Sequence, residues 1–177
     1  IADIVEQLLK ISGITVIRNK PTMTLKQVVE DSNKNKPDIH FAIHSNAGGG
    51  TGCEVYAWLV PDGKGGYKDT PGYRLAKAVY NEVSKITPMA DRGVKQGVHL
   101  YEIKNTVASA ALIEIAFHDN PVDASWITNN IDNIGKAIAQ GICNYFGIPL
   151  KEPKPPKETA PSGKLYKVQV GAFKSRA

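Results

Sequence analysis

Two short apolar runs constrain the fold of this chain more than any other feature. Residues 39–43 and 110–117 consist mainly of Ile, Leu, Phe and Ala, and polar or turn-forming residues bound each run. Runs of this length are typical of strands buried inside a sheet. Because segments with helical character separate them, the chain is predicted to form an α/β domain, with a mostly parallel sheet flanked by helices.

The remaining elements follow from periodicity and from turn residues. Helices are predicted in residues 1–9, 25–33, 75–86 and 127–145, the last ending near Gly147. Two further strands are predicted, one in the β-branched run 14–17 and one in residues 54–60, after the glycine cluster 48–52.

A proline-rich stretch divides the chain into unequal parts. Residues 149–163 hold five prolines among lysines, glutamates and small residues, a composition typical of an extended linker. Residues 1–148 are therefore predicted to form the main domain, and the linker is expected to pack little. Residues 164–177 alternate apolar and polar positions, which predicts the first strand of a second domain.

Charge and cysteine content narrow the class of protein. The formal net charge is +5, but the basic residues are dispersed and match no nucleic-acid recognition pattern, so nucleic acid is not an expected partner. The sequence contains no apolar run of about 18 residues, so no membrane-spanning helix is predicted. Cys53 and Cys143 lie far apart in the chain and are expected to be buried free thiols, with a single disulfide as the alternative.

His44 is the first candidate for chemistry. It stands at the end of the apolar run 39–43, and in open α/β sheets ligands bind beyond the carboxyl ends of the strands. A lone histidine is more often structural than a metal ligand. His40 is expected to lie about 13 Å from His44 along the strand, too far for the two to share a metal.

Glu114 is the second candidate, because it interrupts the apolar run 110–117. A carboxylate there is costly to bury unless it is paired, protonated or near a cation, and such acids are often catalytic. The alternative is an ion pair with a lysine or arginine at the sheet edge. His118, which follows the same run, is expected to lie in a loop or at the entry of a helix rather than to bind a metal.

These residues carry a resemblance to a known family. His44-Ser45-Asn46-Ala47, after its apolar strand, resembles the second-histidine motif of the zinc-dependent N-acetylmuramoyl-L-alanine amidases. The run 112–117 followed by Asn120 resembles that family's catalytic-glutamate motif, and Arg92 to Lys95 and Arg74 to Ala76 also match its pattern. The resemblance covers residues 1 to about 147. Residues 165–173 resemble the opening strand of a SPOR domain, a module that binds peptidoglycan glycan strands.

The resemblance implies a function and a site. The chain is expected to cleave the amide bond between N-acetylmuramic acid and L-alanine of peptidoglycan, in the cell wall or outside a bacterial cell. His44 would be one of three protein ligands of a Zn²⁺ that activates water, Glu114 would be the general base and acid, and Asn46 and Ala47 would contact the substrate.

The resemblance also implies what this sequence lacks. The family's first strand, with a histidine and a glutamate ligand, would lie upstream of Ile1, so we expect this polypeptide to bind zinc weakly. One alternative is a catalytically inactive amidase-like module that binds peptidoglycan or regulates another hydrolase. The other alternative is a zinc exopeptidase of related architecture, which would need more metal ligands downstream. The remaining histidines, His99 and His118, have only Glu102 and Asp119 as acidic neighbours, so this alternative is disfavoured.

Overall fold

The computed structural model describes residues 1–153 of the chain. In these residues a four-stranded sheet is flanked by helices, which confirms the α/β prediction. The helices are α1 (Ala2–Ile11), α2 (Leu25–Asn35), α3 (Pro71–Ser84), α4 (Tyr101–Asn105), α5 (Pro121–Asn129) and α6 (Ile131–Phe146). The strands are β1 (Ile39–Asn46), β2 (Cys53–Ala57), β3 (Asp91–Gln96) and β4 (Ser109–Phe117).

The strand order is β1-β4-β2-β3, with both predicted apolar runs side by side. Strands β1 and β4 are parallel, and so are β2 and β3, whereas β2 and β4 are antiparallel. The sheet is therefore mixed, with two parallel pairs and one antiparallel pair. In the register of β1 with β4, His44 lies opposite Glu114, and in the register of β2 with β4, Glu54 lies opposite the same residue.

Different helices pack against the two faces of the sheet. Side chains alternate between the faces of a strand, so neighbouring residues face opposite ways. The packed face carries Val55, Ile113 and Ile115 among others, and it belongs to the main core with the apolar sides of α1, α3 and α6. The second face carries Ala42, Ala110 and Leu112, which form a smaller cluster with Ile103 of α4.

Close helix packing explains two glycines on the main side. A Cβ at Gly141 of α6 would lie 2.4 Å from Val79 Cα of α3, and a Cβ at Gly135 would lie 2.7 Å from a methyl carbon of Ile4. Both distances are below any real contact, so these glycines let α6 approach α3 and α1. Helix α6 ends at Gly147, whose φ of 68° is the left-handed conformation that glycine adopts without strain.

Several predicted boundaries were wrong. Residues 14–17 form no strand, because no neighbouring strand in the described residues pairs with them, although Ile14 and Val16 still pack on the core. The predicted last helix is two helices, since the chain leaves helical geometry at Asn130, so that Ile127 belongs to α5. Strand β1 continues past His44 to Asn46.

The described residues include the beginning of the predicted linker. Leu150 packs against the core, and the Lys151 amide donates to Ser12 Oγ at 2.9 Å. Lys136 forms an ion pair with Glu152. Contacts with the main domain therefore continue a few residues beyond 148. The rest of the predicted linker and the SPOR-like segment 164–177 lie outside the described residues.

Candidate active site

Three polar residues meet on the second face of the sheet, beyond its small apolar cluster. His44 of β1, Glu114 of β4 and Glu54 of β2 occupy paired positions on neighbouring strands, and Glu114 is in the middle. Neighbouring strands lie about 4.8 Å apart, so the three side chains share one patch. The structure thus brings together His44 and Glu114, the two residues that stood out in the sequence, and adds Glu54.

Glu114 is the least satisfied carboxylate of this patch. Its Oε2 is buried and has no hydrogen-bond partner among the described residues. Burial raises the pKa of Glu114 above its ordinary value, the nearby His44 and His118 oppose the shift, and Glu54 adds to it. The alternative interpretation, an ion pair of Glu114 with a lysine or arginine at the sheet edge, finds no such pair among the described residues.

Glu54 has the opposite environment, although it lies on the next strand. It is 1% exposed, and its Oε2 accepts from Arg92 Nε at 2.6 Å and from Lys95. Its Oε1 accepts from Asn46 Nδ2 at 2.7 Å and from the Tyr56 hydroxyl at 2.8 Å. Burial alone would raise the pKa of Glu54, but these donors outweigh it and lower the pKa. Glu54 is therefore a fixed negative charge beside Glu114.

The basic residues of β3 form ion pairs with Glu54. Arg92 and Lys95 both point to this carboxylate, and the Arg92 guanidinium also lies 5.0 Å from the centre of the Phe117 ring. Among residues 1–153, no lysine or arginine forms an ion pair with Glu114. The ion pair with basic residues that was the alternative for Glu114 is formed by Glu54 instead.

His44 is half-exposed at the edge of the patch, and its Nε2 lies 3.5 Å from Oε2 of Glu102 on α4. The Glu102 carboxylate raises the pKa of His44, burial opposes the shift, and Glu114 adds to it. Burial would raise the pKa of Glu102 itself, but His40 and His44 together hold it at about 2. Glu102 is therefore ionised at neutral pH.

The loop after β1 is held by two aspartates that follow β4. Asp119 Oδ2 accepts from the amides of Gly48 and Gly49 at 2.7 and 2.9 Å. Asp123 is fully buried and accepts from the Thr51 hydroxyl and from the amides of Gly52 and Phe117. These bonds fix the glycine-rich loop against the end of β4.

The other predicted site residues have mixed surroundings. Asn46 donates to Glu54 and accepts from the Ala47 amide at 2.9 Å, so both ends of its side chain have partners inside the chain. Ala47 is exposed at the start of the loop. His118 lies in the turn after β4, as expected, and its Nδ1 lies 3.0 Å from the Ser45 hydroxyl.

Sequence analysis missed Glu54 and Glu102 as parts of this patch. Glu54 is the second residue of β2, which spans Cys53–Ala57 rather than the predicted residues 54–60. Glu102 lies on a helix of five residues that periodicity cannot detect. A sequence signal was available for Glu54, because it is an acid inside the largely apolar run 53–59, the feature that singled out Glu114.

The donor groups of the patch suit part of a metal site. A half-exposed imidazole beside an unpartnered carboxylate oxygen is the chemistry that Zn²⁺ and its water require. Within residues 1–153, however, no group of three or more His, Cys, Asp or Glu side chains is arranged to hold a metal ion. His44 is the residue of this patch that the sequence singles out as a candidate ligand. In the same range, no helix is both long and apolar enough to cross a membrane.

Comparison of the sequence with known proteins gives consistent matches. Residues 1–144 match the model of a family described as N-acetylmuramoyl-L-alanine amidase. The sporulation-specific N-acetylmuramoyl-L-alanine amidase of Bacillus subtilis strain 168 is 32% identical over 142 residues, which cover 79% of this chain and 49% of that protein. N-acetylmuramoyl-L-alanine amidase CwlM of Bacillus licheniformis is 31% identical over 158 residues, 88% of this chain and 55% of that protein. The chain spans about half the length of these curated relatives.

Solved structures give the same fold. The catalytic domain of CwlV, an N-acetylmuramoyl-L-alanine amidase from Paenibacillus polymyxa, superposes with a TM-score of 0.71 at 24% identity, over 84% of this chain and 82% of that one. Cwp6 from Clostridium difficile superposes with a TM-score of 0.65 at 28% identity, over 81% of this chain and 23% of that one. The expected amidase-like fold is therefore confirmed.

Proposed function

We propose that this chain, which belongs to the N-acetylmuramoyl-L-alanine amidase family, hydrolyses the amide bond between N-acetylmuramic acid and the L-alanine of the peptidoglycan stem peptide. The observation that carries the proposal is the register of β1 with β4, which sets His44 beside Glu114 on one open face. Peptidoglycan is then the substrate, and the enzyme acts in the wall of a bacterial cell.

The proposed role of Glu114 is to move one proton in two steps. As a water oxygen attacks the amide carbon, an O–H bond of that water breaks and the proton passes to the Glu114 carboxylate. When the C–N bond breaks, the same proton passes to the alanine nitrogen, which leaves as an amine. A carboxylate with an unpartnered oxygen and a raised pKa suits both steps.

We propose that His44 is one ligand of a catalytic Zn²⁺. Bound zinc polarises a carbonyl and lowers the pKa of water, which is the chemistry that amide hydrolysis needs at neutral pH. The half-exposed imidazole beside Glu114 supports this assignment. Catalytic zinc sites generally use three protein ligands, and those that the family resemblance implies upstream of Ile1 remain a prediction.

The surroundings of His44 and Glu114 support accessory roles for the loop after β1. Asn46 is held by Glu54, and Ala47 is exposed next to it, so we propose that the main chain and surface of this segment contact the muramyl peptide. Segment 164–177 is proposed to bind glycan strands. The alternative of a non-catalytic module is not favoured, because Oε2 of Glu114 is buried without a hydrogen-bond partner among residues 1–153.

The test is a Glu114→Gln substitution, assayed by release of new L-alanine amino termini from purified cell wall. Loss of a general base should reduce the rate by about 10²–10⁴-fold. Glu30→Gln, at an exposed glutamate of α2, is the matched control and should keep full activity. The assay should use this chain and any longer chain that contains it. Full activity of the Glu114→Gln protein would refute the proposed base.

His44 is tested by zinc content. After dialysis against Zn²⁺, His44→Ala should hold less zinc than the unchanged protein, and His99→Ala should match the unchanged protein. Equal zinc in all three proteins would show that His44 is not a ligand. A chain extended upstream should hold more zinc than this one if the remaining ligands lie there.

A further inference from the structure

The surface above Glu54 is positively charged, although a carboxylate lies beneath it. The Glu54 side chain is 2% exposed, whereas the side chains of its basic partners Arg92 and Lys95 are 33% and 36% exposed. Both cations contact the same oxygen of Glu54, Oε2. Two positive charges and one buried negative charge leave one positive charge in excess, and the exposed part of this group is cationic.

The Arg92 guanidinium has a free outer edge. Arg92 donates to Glu54 through Nε at 2.6 Å, and its terminal nitrogens Nη1 and Nη2 have no hydrogen-bond partner among residues 1–153. The two other arginines of this range differ, because Arg18 and Arg74 bind their carboxylates through Nη1. The free edge of Arg92 is a pair of parallel N–H groups, the arrangement that binds a carboxylate with two hydrogen bonds.

Two contacts hold the Arg92 guanidinium in one place. Glu54 binds its Nε, and the guanidinium carbon lies 5.0 Å from the centre of the Phe117 ring. The loop after β1 packs closely on that ring, since a Cβ at Gly50 would lie 2.5 Å from the ring atoms. A side chain that is already held loses little conformational freedom when a ligand binds to it.

The order of the strands gives a direction to the substrate. His44 is on β1, Glu114 on β4, Glu54 on β2 and Arg92 on β3, and these strands are successive neighbours. In the proposed reaction the scissile carbonyl lies on the side of His44, and the leaving nitrogen receives its proton from Glu114. The peptide beyond that nitrogen then extends over β2 toward Arg92. Strands β4 and β3 are two spacings apart, about 10 Å, which about three extended residues span.

We propose that Arg92 binds a carboxylate of the stem peptide, within about the first three residues after the scissile amide, and that Lys95 adds to the attraction. This inference rests on the proposed function and names the part of the substrate that the second face recognises. Arginine stays charged in proteins, so the contact depends only on an ionised group of the ligand. A carboxamide at the same position has no charge and offers one acceptor oxygen in place of two.

A purely structural role for Arg92 makes a different prediction. If Arg92 only neutralised Glu54 and tied β3 to β2, a lysine at this position would serve as well. Peptides with and without carboxylates would then bind alike. The two roles therefore differ in ligand preference, and stability alone does not separate them.

The test is the binding of two dipeptides to the intact ¹⁵N-labelled chain, measured by NMR titration at pH 7. One is L-alanyl-D-glutamate, which has two carboxylates, and the other is the same dipeptide with both groups converted to carboxamides. The dicarboxylate should bind about 10–100-fold more tightly, the usual effect of a hydrogen bond between charged groups. It should also shift the signals of Arg92, and the diamide should not. Neither dipeptide contains the scissile amide, so binding is measured apart from catalysis.

Arg92→Lys retains a cation beside Glu54 but lacks the two parallel N–H groups. This substitution should reduce the preference for the dicarboxylate by about 10-fold. Arg74→Lys is the matched control, at an exposed arginine of α3 that pairs with Asp69, and should keep the full preference. A dispersed amide spectrum confirms that each variant is folded.

Three results would overturn the proposal. Two of them need no variant, namely equal or absent binding of the dicarboxylate by the unchanged protein, and binding that leaves the Arg92 signals in place. The third is a folded Arg92→Lys protein with the full preference.

The proposed function is decided separately, by the cell-wall assay of Glu114→Gln. A chain whose activity does not depend on Glu114, but which prefers the dicarboxylate through Arg92, would refute the proposed base and retain Arg92 as a peptide-binding residue. A chain that requires Glu114 but binds both dipeptides alike would retain the proposed function and refute the role of Arg92.

Discussion

The two faces of the sheet carry opposite kinds of side chain, although the same strands build both. On the packed face, Val55, Ile113 and Ile115 are at most 2% exposed and belong to the core cluster that also includes residues of α1, α3 and α6. One residue along the strand, the second face presents Glu54 and Glu114. The packed face holds the strands in one register, and that register sets the polar residues of the second face beside one another. Adjacent residues of β4 therefore belong to the buried core on one face and to the polar patch on the other.

The largest effect on stability is expected on the packed face, at Ile113 of β4. Ile113→Ala removes a fully buried side chain from the main core and should lower the free energy of unfolding by about 2–5 kcal/mol. Denaturant unfolding measures this change. The folded fraction should keep its activity per molecule. Leu112→Ala, in the smaller cluster, is the matched control, and a larger loss there would contradict the ranking of the two faces.

The Glu114→Gln substitution, one residue further along β4, is not expected to lower the stability of the protein. The raised pKa of Glu114 means that its contribution to stability is present at pH values below its ordinary pKa and is lost as the pH rises through the folded-state pKa. Glutamine removes this loss, so the variant should be as stable as the unchanged protein, or more so, at neutral pH. Marked destabilisation at pH 7 would show that the carboxylate has a partner that the structure does not reveal.

The loop that borders the second face should depend on Asp123. Asp123→Ala leaves the buried amides of Gly52 and Phe117 without their acceptor and should lower the free energy of unfolding by about 2–4 kcal/mol. Asp123→Asn retains one carbonyl oxygen and should show a smaller loss. Equal effects of the two substitutions in thermal unfolding would mean that charge, not hydrogen bonding, holds the loop.

Glu54 should make the second face sensitive to acid. Its pKa is lowered, so its contribution is present above the ordinary glutamate pKa and is lost as the pH falls through the folded-state pKa. At pH 7, Glu54→Gln should lower the free energy of unfolding by about 1–3 kcal/mol, because Arg92 and Lys95 lose their partner. The difference from the unchanged protein should shrink below about pH 4. A pH-independent difference would contradict this assignment.

The smallest effect is expected at a cysteine of the packed face. Cys53 is 1% exposed, and burial raises the pKa of its thiol to about 12. A thiol reagent should therefore not label Cys53 in the folded protein at pH 8, and labelling should follow global unfolding. Rapid labelling under native conditions would show that the packed face opens locally.

Much of the fold could be predicted because its signals are local. The apolar runs of β1 and β4 and the periodicity of α1, α3 and α6 each lie within one short segment. Two elements were missed, since α4 has only five residues and β3 begins with polar residues that pair only with β2. The opposite error occurred in residues 14–17, where β-branched residues have no strand to pair with in the described part of the chain.

The sequence by itself determined the two candidates, His44 and Glu114, because each is a polar residue in or next to an apolar strand. Only the tertiary structure decided their surroundings. Arg92 and Lys95 pair with Glu54 rather than Glu114, and Glu102 contacts His44 from a residue 58 positions further along the chain. The physical reason is the difference between interactions that are local in the sequence and interactions between distant parts of the chain. Burying a charge is unfavourable wherever it occurs and can be recognised from its immediate neighbours, whereas the partner that offsets that burial is selected by strand register and helix packing.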